Sequence, residues 1–173
     1  MLIKIEELDA KNIVNFYLPK PIVKVGDTLL FSASAATTNE FVNEIFEIKE
    51  INRFLLTEKM ISIKYDDNAS KEDIKALVLA SVDDYLQNGE LLECNDNTDN
   101  HAKCEAIADA MIRPTLNRDN GDIIINCLSD GAIEVQFTGH CAGCPYAHNT
   151  LQNVIIRTFK QYLPQITEIK LKE

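Results

Sequence analysis

Apolar positions along the chain change period several times, and each change marks an element. Residues 2–6 and 13–18 (Ile-Val-Asn-Phe-Tyr-Leu) read as strands, the second closed by Pro19 and Pro21. Residues 28–33 give a third. Thr38-Asn39 ahead of Glu40 predicts a helix start, and Phe41, Val42, Ile45, Phe46 and Ile48 supply its buried face. Residues 51–57 and 59–65 then predict a hairpin. In its second arm Ile61, Ile63 and Tyr65 alternate with Ser62 and Lys64, the period of a half-buried strand. Ser70-Lys-Glu-Asp73 resembles a capping box and opens a helix with Ile74, Leu77, Val78, Val82, Tyr85 and Leu86 on one side. These elements make a small mixed domain over residues 1–87. Its acidic face reads first as solvated surface and second as an electrostatic docking face.

Residues 95–100, Asn-Asp-Asn-Thr-Asp-Asn, are six turn-prone polar residues in a row, so 88–102 is expected to be a linker. A second domain, 103–173, follows. It opens with a helix over 103–112, with Ile107, Ala108, Met111 and Ile112 facing in, which Pro114 is expected to end or kink. Asp119-Asn-Gly-Asp122 is a turn in which Asn120 and Gly121 can both take positive φ. Residues 123–128 and 132–138 are strands joined across Ser129-Asp130-Gly131, a hairpin signal. Leu151, Val154, Ile155, Phe159 and Leu163 mark one face of a helix over 146–163, and 166–171 returns as a strand with Ile169 and Leu171 inward. The class is α+β: two small mixed domains, the second of order helix, hairpin, cysteine loop, helix, strand.

The chemistry concentrates between that hairpin and that helix, in Gly139-His-Cys-Ala-Gly-Cys-Pro145. Cys141 and Cys144 are two residues apart among small residues, and Pro145 is well placed at the first position of a helix. Free N–H groups and the helix dipole there favour thiolates. A Cys-x-x-Cys pair can hold a metal, hold an iron–sulfur cluster or shuttle electrons as a dithiol. Structural zinc and iron–sulfur clusters want four protein ligands, and this loop offers two. The other two must come from elsewhere in the chain or from a second copy. Cys94 and Cys104, on either side of the polar run 95–100, could complete an intrachain set, although their spacing matches none of the common metal-site motifs. Cys127 shares the core parity of Ile123 and Ile125 and reads as a buried small hydrophobe. His101, His140 and His148 read as exposed polar residues, His140 being the best placed to touch the site.

Composition narrows the setting. The 173 residues carry a net charge of −10, distributed as −7 over residues 1–93 and −3 over 94–173. That excess opposes nucleic-acid binding, which draws its affinity from cations on phosphates. No stretch approaches the roughly 20 apolar residues that span a bilayer, so no membrane is expected. Five cysteines with one close pair fit a reducing compartment. The N-terminal residues carry no signal or presequence pattern. The expected location is a bacterial cytoplasm, or a mitochondrial matrix if a presequence has been removed.

Residues 104–171 resemble the C-terminal domain of NifU, shared by Nfu-type iron–sulfur carriers. The resemblance rests on Ile112-Arg-Pro114 with Leu116, Asp119-Asn-Gly-Asp122, Asp130-Gly131, the cysteine motif, Thr150-Leu151 and Leu163-Pro164. Residues 13–87 are similar, more loosely, to the Nfu N-terminal domain through Asn15-Phe16 with Pro19, Phe46-Glu-Ile48 and Ile61-Ser-Ile63. Two positions depart from the pattern: Asn120 replaces a usual glycine, a change the turn should survive, and His140 replaces a small residue. The resemblance implies a non-enzymatic scaffold or carrier. Its cofactor would be an iron–sulfur cluster, [4Fe-4S] favoured and [2Fe-2S] possible, held between two protomers by Cys141 and Cys144 of each. Its partners would be a second copy of the chain, upstream assembly proteins and apo-protein clients. Two other readings compete. A thiol–disulfide oxidoreductase would use the same cysteines, though Pro145 and an origin in a hairpin, without a βαβ pattern, speak against it. A zinc-stabilised adaptor would use them structurally.

Overall fold

The computed structural model describes residues 2–34, 37–88, 90–94, 98–129, 131–140 and 145–172, and of residues 145–150 the backbone alone. The chain divides into two compact units, residues 1–97 and 98–173. Both are α+β.

The first unit is built on five antiparallel strands. These are β1 (Lys4–Leu8), β2 (Ile13–Tyr17), β3 (Leu29–Ser32), β4 (Ile51–Thr57) and β5 (Met60–Tyr65), in the order β1-β2-β5-β4-β3. Two helices, α1 (Glu40–Glu47) and α2 (Lys71–Asn88), complete the unit. The predicted start of α1 holds: the Asn39 side chain accepts from the Val42 N–H at 3.1 Å, satisfying a donor the helix cannot. At the head of α2, Ser70 Oγ accepts from the Asp73 N–H at 3.4 Å. Val14, Phe16, Phe54, Ile61 and Ile63 from the sheet meet Phe41, Val42, Ile45, Ile74, Val78, Val82 and Leu86 from the helices in one apolar cluster. Leu77, expected on this face, lies 51% exposed. The buried positions of α2 advance by four from Ile74, and a residue three along falls at the margin that α1 leaves uncovered. Ser62, expected on a wet face, is buried, level with Asn15 and Leu55 on the strands beside it.

Leu92 is also part of this core, its N–H bonded to the Ile22 carbonyl at 2.7 Å. Residues 95–97 of the polar run fall outside the described residues.

The second unit begins with α3 (Asn100–Ile107), capped by Asp99, whose carboxylate accepts from the Ala102 N–H at 2.9 Å. The helical path continues through a π turn over residues 108–112 into α4 (Arg113–Asn117). Pro114 therefore does not end it, which corrects one of the two expected outcomes; the departure from α geometry falls in the turn just before the proline. Pro114 brings no N–H and crowds the carbonyl four residues back. The wider π spacing, in which the Arg113 N–H reaches the Ala108 carbonyl, accommodates it. Strands β6 (Gly121–Ser129) and β7 (Ala132–Gly139) form the predicted hairpin, α5 (Pro145–Tyr162) follows, and β8 (Glu168–Lys172) pairs with β7 in parallel. Ile155, Phe159 and Leu163 face the core, whereas Val154 is 43% exposed.

Candidate functional site

Cys141 and Cys144 lie outside the described residues, so the site is read from the frame on either side of them. On the upstream side stand the end of β7 and the start of β6. Gly139 pairs with Gly121 and Thr138 with Asp122. Asn120 takes φ +54° and Gly139 φ +64°. The expectation for Asn120 holds, because asparagine adopts this left-handed conformation more readily than other residues with a Cβ. Gly121, by contrast, is ordinary strand backbone. A Cβ on Gly139 would fall far inside contact distance of the Asn120 carbonyl oxygen. That same oxygen accepts from the His140 N–H at 3.2 Å. The strand end is thus tied to the turn at the last residue before Cys141.

The turn is anchored in its own right. Arg113, 7% exposed, donates through Nε to Asp122 at 2.9 Å, through one amine nitrogen to Glu105 at 2.7 Å and Asp109 at 3.0 Å, and through the other to the Ile123 carbonyl at 3.1 Å. Asp122 uses the same oxygen to take the Ile123 N–H at 2.7 Å. Burial opposes the guanidinium charge, but the Glu105 hydrogen bond and the charges of Glu105 and Asp109 overcome it, leaving Arg113 more firmly protonated than usual. One side chain therefore fixes the π turn, α3 and the first residues of β6 to each other. Ile112-Arg-Pro114 entered the sequence reading only as part of a motif. An arginine between acidic residues four back and nine ahead was the available signal for its role.

On the downstream side stands α5. Its 18 residues begin at Pro145, and its first turn holds no acidic residue, so the positive end of its dipole is unopposed within the helix. His148, assigned to the surface from the sequence, falls where side chains are not described. The strand, helix and parallel strand β7–α5–β8 form a βαβ unit, and in sequence the cysteine pair falls between its first strand and its helix. This corrects one ground used against an oxidoreductase, that the motif leaves a hairpin without a βαβ pattern: it does both. The alternation of residues along β7 said nothing about the direction of β8.

The other sulfur and imidazole groups are placed as follows. Cys104 is fully buried in the second unit, and desolvation first, then the neighbouring Cys127, pushes its thiol up to about 12. A thiol so held stays protonated at neutral pH and makes a poor ligand. Cys94 packs partly buried on the core of the first unit, 3.7 Å from the Thr37 hydroxyl. Cys127 is exposed, against expectation. The strand from Asn126 to Ser129 is exposed at every position and slips register before Ser129, so core parity there buries nothing. His101 meets the Ile125 carbonyl at 3.1 Å, and His140 is exposed. Among the described residues no cluster of three or more His, Cys, Asp or Glu could hold a metal ion, and no helix is long and apolar enough to cross a membrane.

Comparison with known proteins covers both units. Residues 3–89 match the N-terminal domain of the scaffold protein Nfu/NifU, and residues 105–170 match the NifU-like domain. The "NFU1 iron-sulfur cluster scaffold homolog, mitochondrial" of Drosophila grimshawi is 26% identical over 159 aligned positions, covering 84% of this chain and 53% of that protein. The Homo sapiens protein of the same name is 23% identical, with 98% of this chain and 71% of that protein covered. "NifU-like protein 4, mitochondrial" of Arabidopsis thaliana is 22% identical, with 98% and 65% covered. The chain thus spans 53–71% of the length of these curated relatives.

Proposed function

The chain belongs to the Nfu/NifU scaffold family, and on that premise we propose that it carries an iron–sulfur cluster as cargo, gripped by Cys141 and Cys144. The observation that carries this reading is the pair of sulfur donors set between an anchored strand end and an unopposed helix N-terminus, inside the span that matches the NifU-like domain. Two thiolates per chain against four per cluster call for a second copy of the chain. A [4Fe-4S] core with four thiolates carries net charge −2, which two helix N-termini would help to offset; a [2Fe-2S] cargo would need the same four thiolates. Transfer to an apo-protein would exchange each bond to Cys141 or Cys144 for one to a client thiolate, with no change in iron oxidation state. Assembly proteins upstream and apo-proteins downstream are the partners this role requires. The scaffold names of the relatives support it, and their mitochondrial names favour the matrix of the two compartments admitted by the sequence.

The chain's own residues supply the setting. Arg113, Asp122, Asn120 and Gly139 hold the upstream edge of the loop, and α5 supplies the downstream field. A dithiol oxidoreductase keeps one specific observation in its favour, the βαβ unit whose strand and helix flank the Cys-x-x-Cys in sequence. Anaerobic reconstitution with iron and sulfide separates the two. A carrier gains broad visible absorbance and doubles in mass, and loses both in Cys141→Ala and Cys144→Ala. An oxidoreductase stays colourless and reduces a disulfide substrate. A zinc-stabilised adaptor would retain zinc until unfolded.

A further inference from the structure

We propose that the α1–α2 face of the first unit is a docking surface for a cationic amphipathic segment of a partner protein. Two adjoining clefts of about 470 and 680 Å³ meet along this face and share Ile48, Glu50 and Leu77. Their floor is apolar. Ile48 is half-buried, Ala76 and Ala80 lie open on α2, and Leu77, at 51%, is the most exposed large hydrophobic residue on any helix among those described. Their rim is acidic. Glu44, Glu47, Glu50, Asp73 and Asp84 line the two clefts, and Lys49 is the one cation lining them among the described residues, for a balance of −4.

The rest of the unit shows what an intramolecular role for such acids looks like. Glu7 and Asp9 meet Lys71 at 2.5 and 2.8 Å, and Glu7 and Glu72 meet Lys75 at 2.6 and 2.7 Å. None of the five rim carboxylates stands in an ion pair among the described residues. Glu44 instead accepts from the Ser81 hydroxyl at 2.6 Å, reaching from α1 to α2 across the groove. An apolar floor takes the aliphatic anchors of a helix at i and i+4, and the rim meets lysine or arginine on its flanks. Within a Debye length of roughly 8 Å such a rim also speeds encounter with a cationic partner. The sign of the charge decides among occupants. A second copy of a chain of net charge −10 would set one acidic rim against another, and nucleic acids or anionic lipids would be repelled. The proposal rests on the first unit alone and holds whether or not the cysteines carry a cluster.

The test uses the full chain, isotope-labelled for NMR, and a two-heptad helix of leucine and lysine as probe, with a leucine–glutamate helix beside it. Amide shifts should centre on Ile48, Glu50, Leu77 and Ala80. Leu77→Ser should weaken binding about 10-fold, the scale of a central apolar anchor. The double variant Glu47→Gln/Asp84→Asn should weaken it about 5-fold or more and flatten its salt dependence. Asp27→Asn/Glu58→Gln removes the same charge away from the groove and should change it less than about 2-fold. Three outcomes overturn the proposal: equal losses in the two double variants, equal binding of the glutamate helix, or self-association of the wild type that Leu77→Ser abolishes.

Discussion

In the first unit, five strands and two helices close over a continuous apolar cluster. Phe54 is fully buried at its centre, with the rings of Phe31, Phe41 and Phe46 within 5.7–6.3 Å. In the second unit the helices also bury an apolar layer, but the corner just upstream of the cysteine pair is held differently, by one guanidinium among three carboxylates and by two residues in left-handed backbone. Apolar packing is non-directional and tolerates small shifts. A forked arginine and a crowded glycine are satisfied only within a narrow range of distances and angles. The difference teaches where the chain needs a geometry and where it needs only a body.

Truncation separates the two kinds of support most sharply. Phe54→Ala should destabilise the first unit by about 3–5 kcal/mol, the ordinary cost of emptying a large core site. Hydrogen exchange of the β4 and β5 amides would show it. Arg113→Ala should cost the second unit about 2–4 kcal/mol, because it strands buried carboxylates, while the partial exposure of Glu105 and Asp122 softens the loss. Here the contrast can be sharpened further. Arg113→Lys keeps the charge but not the fork, so it should recover at most half of that stability. Gly139→Ala comes next, at about 1–3 kcal/mol, since a Cβ would meet the Asn120 carbonyl from a left-handed backbone. Chemical denaturation followed at β6 and β7 measures both.

Titration gives a smaller effect, confined to the surface of the first unit. Hydrogen bonds from Lys71 and then Lys75 lower Glu7 from 4.5 to about 2. A carboxyl held down in the folded state contributes stability above pH 4.5 and loses it as pH falls through about 2. Lys71→Met should therefore flatten the pH dependence of unfolding between those values, modestly, because Glu7 lies at the surface. The smallest signal is chemical. Alkylation of the native protein at pH 8 should modify Cys127 well before Cys104, whose buried thiol titrates at about 12. Mass mapping over time would reverse that order if the second unit's core were open.

Much of this was readable in the chain, for local reasons. The Asn39 cap, the 51–65 hairpin and the positive φ of Asn120 follow from what each residue can do alone, and the structure holds all three. What the pattern missed depends on neighbours. Pro114 read as a helix end or a kink, because period alone carries no π turn. Cys127, Leu77 and Val154 had the parity or spacing of core residues, but parity buries a side chain only where another layer covers it. Arg113 sat in plain view inside a motif, and its partners converge from α3, the π turn and β6, a meeting no window of sequence displays. The cysteine pair was legible as chemistry at once, two donors short of a full set of four.

That shortfall makes the decisive measurement simple: the native mass and sulfide content of the anaerobically loaded protein. The account predicts two chains for each cluster, with Cys141→Ala or Cys144→Ala abolishing both the cluster and the pairing. A cluster carried by a single chain, or retained after both cysteines are replaced, would contradict it.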